Sequence, residues 1–157
     1  MAHPQLGDPA PDFTLPTDGD GPLTLSALKG RPVVLYFYPK DDTSGCTKEA
    51  IAFSALKPEF DRLGARVIGL SPDSAQKHAK FRKKHGLSVD LAADEERTAL
   101  EAYGVWVEKS LYGRKYMGVE RTTFLIDAEG RVARVWSKVK VDGHAEDVLA
   151  AARALQP

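Results

Sequence analysis

The stretch Val33-Val-Leu-Tyr-Phe-Tyr-Pro-Lys-Asp-Asp-Thr-Ser-Gly-Cys-Thr-Lys-Glu-Ala50 sets out a strand, a turn and the opening of a helix. Val33 to Tyr38 is an unbroken apolar and aromatic run rich in β-branched and ring side chains, which suits a central strand covered on both faces. Pro39 ends it, because a proline cannot donate to the next rung of the ladder. Beyond the polar Lys40 to Gly45, the apolar residues Ile51, Phe53, Leu56, Phe60 and Leu63 recur at helical spacing as far as Gly64. Cys46 therefore falls in the first turn of that helix. Pro58 lies within the pattern, removes a backbone donor and predicts a kink.

Upstream, Gly7-Asp-Pro-Ala-Pro-Asp-Phe13 is too rich in proline for a helix, and Phe13 to Leu15 and Leu23 to Leu25 flank a Gly/Asp/Pro turn, the pattern of a small hairpin. Downstream, Val67 to Leu70 reads as a second buried strand. Asp73 with Gln76 reads as a capping box opening a helix through His85, which Gly86 stops. A short strand near Leu91, a helical turn over Thr98 to Tyr103 and a strand at Val105 to Val107 follow. Thr122 to Ile126 and Val132 to Trp136 flank Asp127-Ala-Glu-Gly130, a hairpin signal, and Val148, Leu149, Ala152 and Leu155 stripe a last helix. Strands alternating with helices, with one late hairpin, imply an α/β domain whose mixed sheet lies between helical layers.

A chain of 157 residues, 43% of them hydrophobic, suits one domain with a real core, expected to span 1–157 with an ordered part of about 5–156. Lysine plus arginine and aspartate plus glutamate both number 22, so the overall charge draws the chain neither to nucleic acid nor to an anionic membrane. No apolar run approaches the roughly 20 residues of a membrane span, and the expected location is the cytoplasm. With one cysteine, no internal disulfide can form.

A lone cysteine is more often a small buried hydrophobe than a reactive group. Cys46, however, opens a helix behind a buried strand, where unpaired amides and the positive end of the helix dipole favour thiolate over thiol. Such a thiolate, at the mouth of the fold and within reach of hydrogen peroxide, could cleave an O–O bond given donors for the departing oxygen. Thr43 offers a hydroxyl for this work or a helix N-cap; on spacing alone the two roles are equally plausible. Arg121, before the strand Thr122 to Ile126, is on its own a solvated strand-end residue as readily as a catalytic one. Glu49 could orient an arginine, but a glutamate in a first helical turn is explained by the dipole alone.

The string Tyr38 to Ala50 carries Pro-x-x-x-Thr-x-x-Cys at Pro39, Thr43 and Cys46, and resembles the active-site loop of peroxiredoxins, most closely the peroxiredoxin Q or bacterioferritin comigratory protein group. Tyr103 to Lys109 and Tyr112 to Asp127 are similar to that group's downstream signature, so the likeness covers nearly the whole chain. The resemblance implies a thioredoxin-like fold with Cys46 as the peroxidatic residue, Arg121 reaching it from a neighbouring strand, Thr43 binding the peroxide and Pro39 shielding the sulfur. It also leans towards a monomer. Many members have a resolving cysteine five residues after the first, or one in the next long helix; here those places hold Ile51 and a helix without cysteine, Arg82 included. The expected activity is thus a one-cysteine peroxidase whose sulfenic acid is reduced by an outside thiol: thioredoxin, glutaredoxin or glutathione.

A thioredoxin-type reductase needs a Cys-x-x-Cys pair, but Cys46 is followed by Thr47, Lys48 and Glu49. A non-enzymatic peroxide sensor or redox chaperone shares the first chemical step and differs in turnover. Lys77 to His85 is basic but reads as a solvated helix face, and His78 and His85 are too far apart on it for one metal. His3 and His144 suggest no ligand set, and the glycines of Asp18 to Gly21 lack the strand and helix of a nucleotide loop. No metal or cofactor is expected.

Overall fold

The computed structural model describes residues 3–19 and 21–155; the ends of the expected 1–157 span, and Asp20, lie outside the described residues. A five-stranded mixed sheet is built from β3 (Val33–Phe37), β4 (Arg66–Ser71), β5 (Asp90–Ala93), β8 (Thr122–Ile126) and β9 (Val132–Trp136) in the order β5-β4-β3-β8-β9. β3 is parallel to β4 and antiparallel to β8, and so occupies the centre. Its period-2 alternation divides the core. Val33, Leu35 and Phe37 face one apolar cluster with Phe13, Leu100 and Tyr103, while Val34 and Tyr36 face another with Phe53, Phe60, Phe81 and Val148. All five β3 side chains are buried, as the unbroken apolar run requires.

Helices α1 (Ser44–Arg62), α2 (Ala75–His85) and α4 (His144–Ala154) cover the second face. The first is covered by the hairpin β1 (Thr14–Leu15) with β2 (Leu23–Thr24) and by the short α3 (Thr98–Ala102). Phe53, fully buried and stacked on Tyr36 with ring centroids 4.7 Å apart, anchors α1. Truncating such a ring to alanine costs about 3–5 kcal/mol.

α1 runs on through Pro58, and the Ser54 carbonyl that the proline leaves without an intrahelical donor accepts from Ser88 Oγ at 3.2 Å. Ser54 Oγ in turn accepts from the Ser88 amide at 3.0 Å, so a neighbouring loop repairs the gap. The cap of α2 is Ser74, which accepts from the Lys77 amide at 3.2 Å, and not Asp73, whose carboxylate is taken up by Ser71 Oγ and the Asp41 amide. The strand expected at Val105 to Val107 is half of a separate arm, β6 (Trp106–Leu111) paired antiparallel with β7 (Arg114–Val119). Tyr112 (φ 51°) and Gly113 (φ 76°) form its two-residue turn, a left-handed geometry that glycine supplies without strain.

Candidate active site

The loop from Pro39 to Thr43 links the end of the central strand to α1, and Ser44, Gly45 and Cys46 form the first helical turn. Their amides have no acceptor within the helix and point towards the sulfur's end of it. Arg121 lies between β7 and β8, its carbonyl accepting from the Val139 amide at 3.0 Å. Its Nη2 donates to Cys46 Sγ at 3.3 Å, and its Nη1 donates to Glu49 Oε1 at 2.6 Å. One guanidinium therefore bridges two residues of the α1 inner face. Gly45 makes room for it, since a Cβ there would lie 3.2 Å from Arg121 Nη2.

Of the two sequence readings of Glu49, the one that orients an arginine holds, and the first-turn acid explained by the dipole does not. With α1 starting at Ser44 it belongs to the second turn and faces inward, 1% exposed. Its Oε2 is buried without a partner. Burial pushes its carboxyl from an ordinary 4.5 up to about 7, against the pull of Arg121. The guanidinium, which burial alone would depress, is held above its ordinary range by Glu49 and Cys46.

Cys46 is also more enclosed than expected. At 1% exposure it packs in the cluster of Tyr36, Tyr38 and Phe53 rather than standing open at the mouth of the fold. The cause is the docking of the first turn of α1 onto the sheet. Thr43 and Ser44 beside it are exposed and Pro39 is half-buried, so the polar loop forms the border between sulfur and solvent. Thr43 occupies the N-cap position but makes no cap bond; its hydroxyl donates to the Lys40 carbonyl at 2.9 Å. With its proton committed, Thr43 Oγ1 has lone pairs for an incoming O–H donor.

Two further groups escaped the sequence reading. Lys109 of β6 lies across Gly118, where a Cβ would meet its Cδ at 3.3 Å, and it is depressed by burial and then by the Arg121 charge, which makes it a second cation near the site. His144, at the start of α4, is pushed down to about 4, mainly by burial, and bonds Thr123 Oγ1 at 2.8 Å. It is a neutral strut beneath β8. No cluster of metal-ligating side chains occurs among the described residues.

Residues 6–135 match the AhpC/TSA family model. The chain belongs to the AhpC/TSA family, in its Bcp peroxiredoxin branch. Within this family it is 48% identical to peroxiredoxin Bcp of Bacillus subtilis over 145 residues, 92% of each chain. The bacterioferritin comigratory protein of Xanthomonas campestris, described for its alkyl peroxide reduction activity, superposes with a TM-score of 0.89 at 44% identity over 98% of both chains. A peroxiredoxin Q variant from Xylella fastidiosa gives a TM-score of 0.92 at 37% identity over 98% of both. The thioredoxin-like fold of these peroxiredoxins, with its N-terminal hairpin, is thus the fold of this chain. The peroxiredoxin carries one cysteine, free and buried, and no helix among its described residues is long and apolar enough to cross a membrane.

Proposed function

We propose that the protein is a thiol-dependent peroxidase that reduces hydrogen peroxide and organic hydroperoxides through Cys46 alone, with Arg121 and Thr43 as its catalytic partners. The observation that carries this is the guanidinium of Arg121, donating to Cys46 Sγ at 3.3 Å while Glu49 fixes its other arm. In the first step the Cys46 thiolate attacks the terminal oxygen of the hydroperoxide. The O–O bond breaks, an S–O bond forms, and the departing alkoxide, or hydroxide from hydrogen peroxide, takes a proton from solvent and leaves as alcohol or water. Arg121 faces the charge as it passes from sulfur to the leaving oxygen, the position where a fixed donor lowers the barrier most. Thr43 Oγ1 accepts from the hydroperoxide O–H and sets its angle of approach.

The product is a sulfenic acid. With no second cysteine in the chain, an external thiol attacks its sulfur, releases water and leaves a mixed disulfide, which a second thiol reduces to return Cys46. Thioredoxin, glutaredoxin and glutathione all supply that chemistry. Because Cys46 is buried, the loop must open for a protein thiol to reach it, and Pro39 shields the sulfur until then. The working unit is a monomer in the cytoplasm.

The test is continuous consumption of tert-butyl hydroperoxide with excess thioredoxin, glutaredoxin or glutathione supplied in turn. Many turnovers per chain with at least one of them support the peroxidase; a single equivalent consumed with all three shows a sensor instead.

A further inference from the structure

Two features outside the chemistry bear on the opening of the active-site loop. The first is a buried polar cluster between that loop and α2. His78, fully buried on α2, approaches Asp41 Oδ2 through Nδ1 at 2.6 Å and the Ala92 carbonyl through Nε2 at 2.9 Å. Nε2 carries a proton, since a carbonyl can only accept, and at Nδ1 burial works against the charged ring while the short bond to Asp41 outweighs it and holds the imidazole above its ordinary pKa. Asp41 Oδ1 accepts in turn from Tyr38 Oη at 2.6 Å. The Asp41 amide also donates to Asp73 Oδ2 at 2.8 Å. Next along the loop Asp42, at a left-handed φ of 62°, accepts from Lys84 Nζ at 2.7 Å and His85 Nε2 at 2.8 Å; these exposed bonds are worth little.

The second feature is that α2 is itself pinned. Arg82 donates to both Asp18 carboxylate oxygens, to the Leu87 carbonyl at 2.7 Å and to the Val89 carbonyl at 2.5 Å. That fork ties the C-terminal half of α2 to the N-terminal hairpin region and to the approach to β5. α2 is thereby anchored independently of the loop that carries Asp41, five residues ahead of Cys46.

We infer that His78, Asp41 and Tyr38 form a clamp that positions the loop and sets the balance between a closed, peroxide-reactive site and an open, reductant-accessible one. The inference rests on the reading of Cys46 as the peroxidatic residue. In the closed site the newly formed sulfenic acid stays beside Arg121, which activates a second hydroperoxide. That hydroperoxide transfers an oxygen to the sulfur, giving sulfinic acid and a second alcohol. In the open site an external thiol attacks instead. The clamp therefore governs how the sulfenic acid divides between recovery and over-oxidation, and His78, Asp41 and Tyr38 are positioning residues that touch neither substrate.

Three variants test this. Asp41→Asn keeps the loop's shape and the bond from Tyr38 but takes the acid group out of the short bond to His78. Tyr38→Phe removes only the hydroxyl and keeps the ring packed. Ser88→Ala weakens α1 at Pro58, away from the clamp, and serves as the stability control. Each is cycled with tert-butyl hydroperoxide and thioredoxin, the sulfinic fraction per turnover is read by intact mass, and the first oxidation is timed separately. Loss of one charged hydrogen bond predicts a sulfinic fraction lowered roughly tenfold in Asp41→Asn and a few-fold in Tyr38→Phe. Reductant kcat/KM rises in step, the first oxidation stays within about twofold, and hydrogen exchange quickens in residues 39–45.

An unchanged sulfinic fraction in both clamp variants overturns the inference, as does an equal fall in Ser88→Ala, which would assign the effect to global stability. Failure of Cys46 to oxidise in the native protein would instead overturn the peroxidase reading beneath it.

Discussion

Replacing Glu49 by glutamine separates the charge of a buried carboxylate from its shape. In the native protein burial lifts this carboxyl from an ordinary 4.5 to about 7, with Arg121 pulling the other way. A carboxyl with a higher pKa folded than unfolded binds its proton more tightly in the native state. Native stability is therefore fully present where the group is protonated in both states and declines as the pH rises through that window. At about 1.4 kcal/mol per unit, the shift amounts to roughly 3 kcal/mol between about pH 4 and pH 8. Glutamine carries no charge at any pH, and its carbonyl oxygen can still accept from Arg121 Nη1 where Glu49 does now. The Glu49→Gln variant should match the native protein near pH 4 and exceed its stability by roughly 3 kcal/mol near pH 8. Urea unfolding across this range, followed by the fluorescence of Trp106 and Trp136, measures the difference, and groups titrating alike in both proteins cancel. A difference that stays flat, or that favours the native protein as the pH rises, refutes the argument; it would mean that attraction to Arg121 outweighs desolvation. The added stability should come with slower peroxide reduction, because Arg121 loses its anionic partner.

Arg121→Ala removes the donor to Cys46 Sγ and should slow the first oxidation by about 10²–10³ in stopped-flow with tert-butyl hydroperoxide, with the far-ultraviolet spectrum unchanged. Thr43→Val removes both the bond to the Lys40 carbonyl and the acceptor for the peroxide; a loss of roughly tenfold in the first oxidation, with reductant KM unaltered, is expected from the same assay. Ser88→Ala leaves the Ser54 carbonyl without its donor opposite Pro58, and should lower unfolding free energy in urea by about 1–2 kcal/mol without touching the rate of Cys46 oxidation.

The sheet's centre and α1 were legible because Val33 to Phe37 and the stripe Phe53, Leu56 and Phe60 state their periods without interruption. The arm β6–β7 was not. Arg114 to Met117 are all exposed, so no buried face imposes an alternation, and the strand shows only in its turn and cross-strand partners. Cys46 was marked by its place at a helix start and Thr43 by its spacing from it, whereas the roles of Thr43 and Arg121 came from a motif and a resemblance. The structure places the Cys46 sulfur beside Arg121, across 75 positions of chain that no local pattern connects. For Glu49 two readings stayed open, because the register of α1 decides whether its carboxylate sits in the first turn or faces inward to Arg121. Asp73 read as a cap because its demand from Asp41, 32 positions away, has no local signature.

The central claim is that a single enclosed sulfur, activated by one guanidinium, does all of the oxidation chemistry. Titrating the reduced protein with tert-butyl hydroperoxide, while intact mass reports what is added, tests it most directly. One oxygen atom per chain, localised to Cys46, with one equivalent of alcohol released and neither event in Cys46→Ser, is the predicted result. Peroxide consumption that persists in Cys46→Ser, or a native sulfur left unmodified while peroxide disappears, would contradict it.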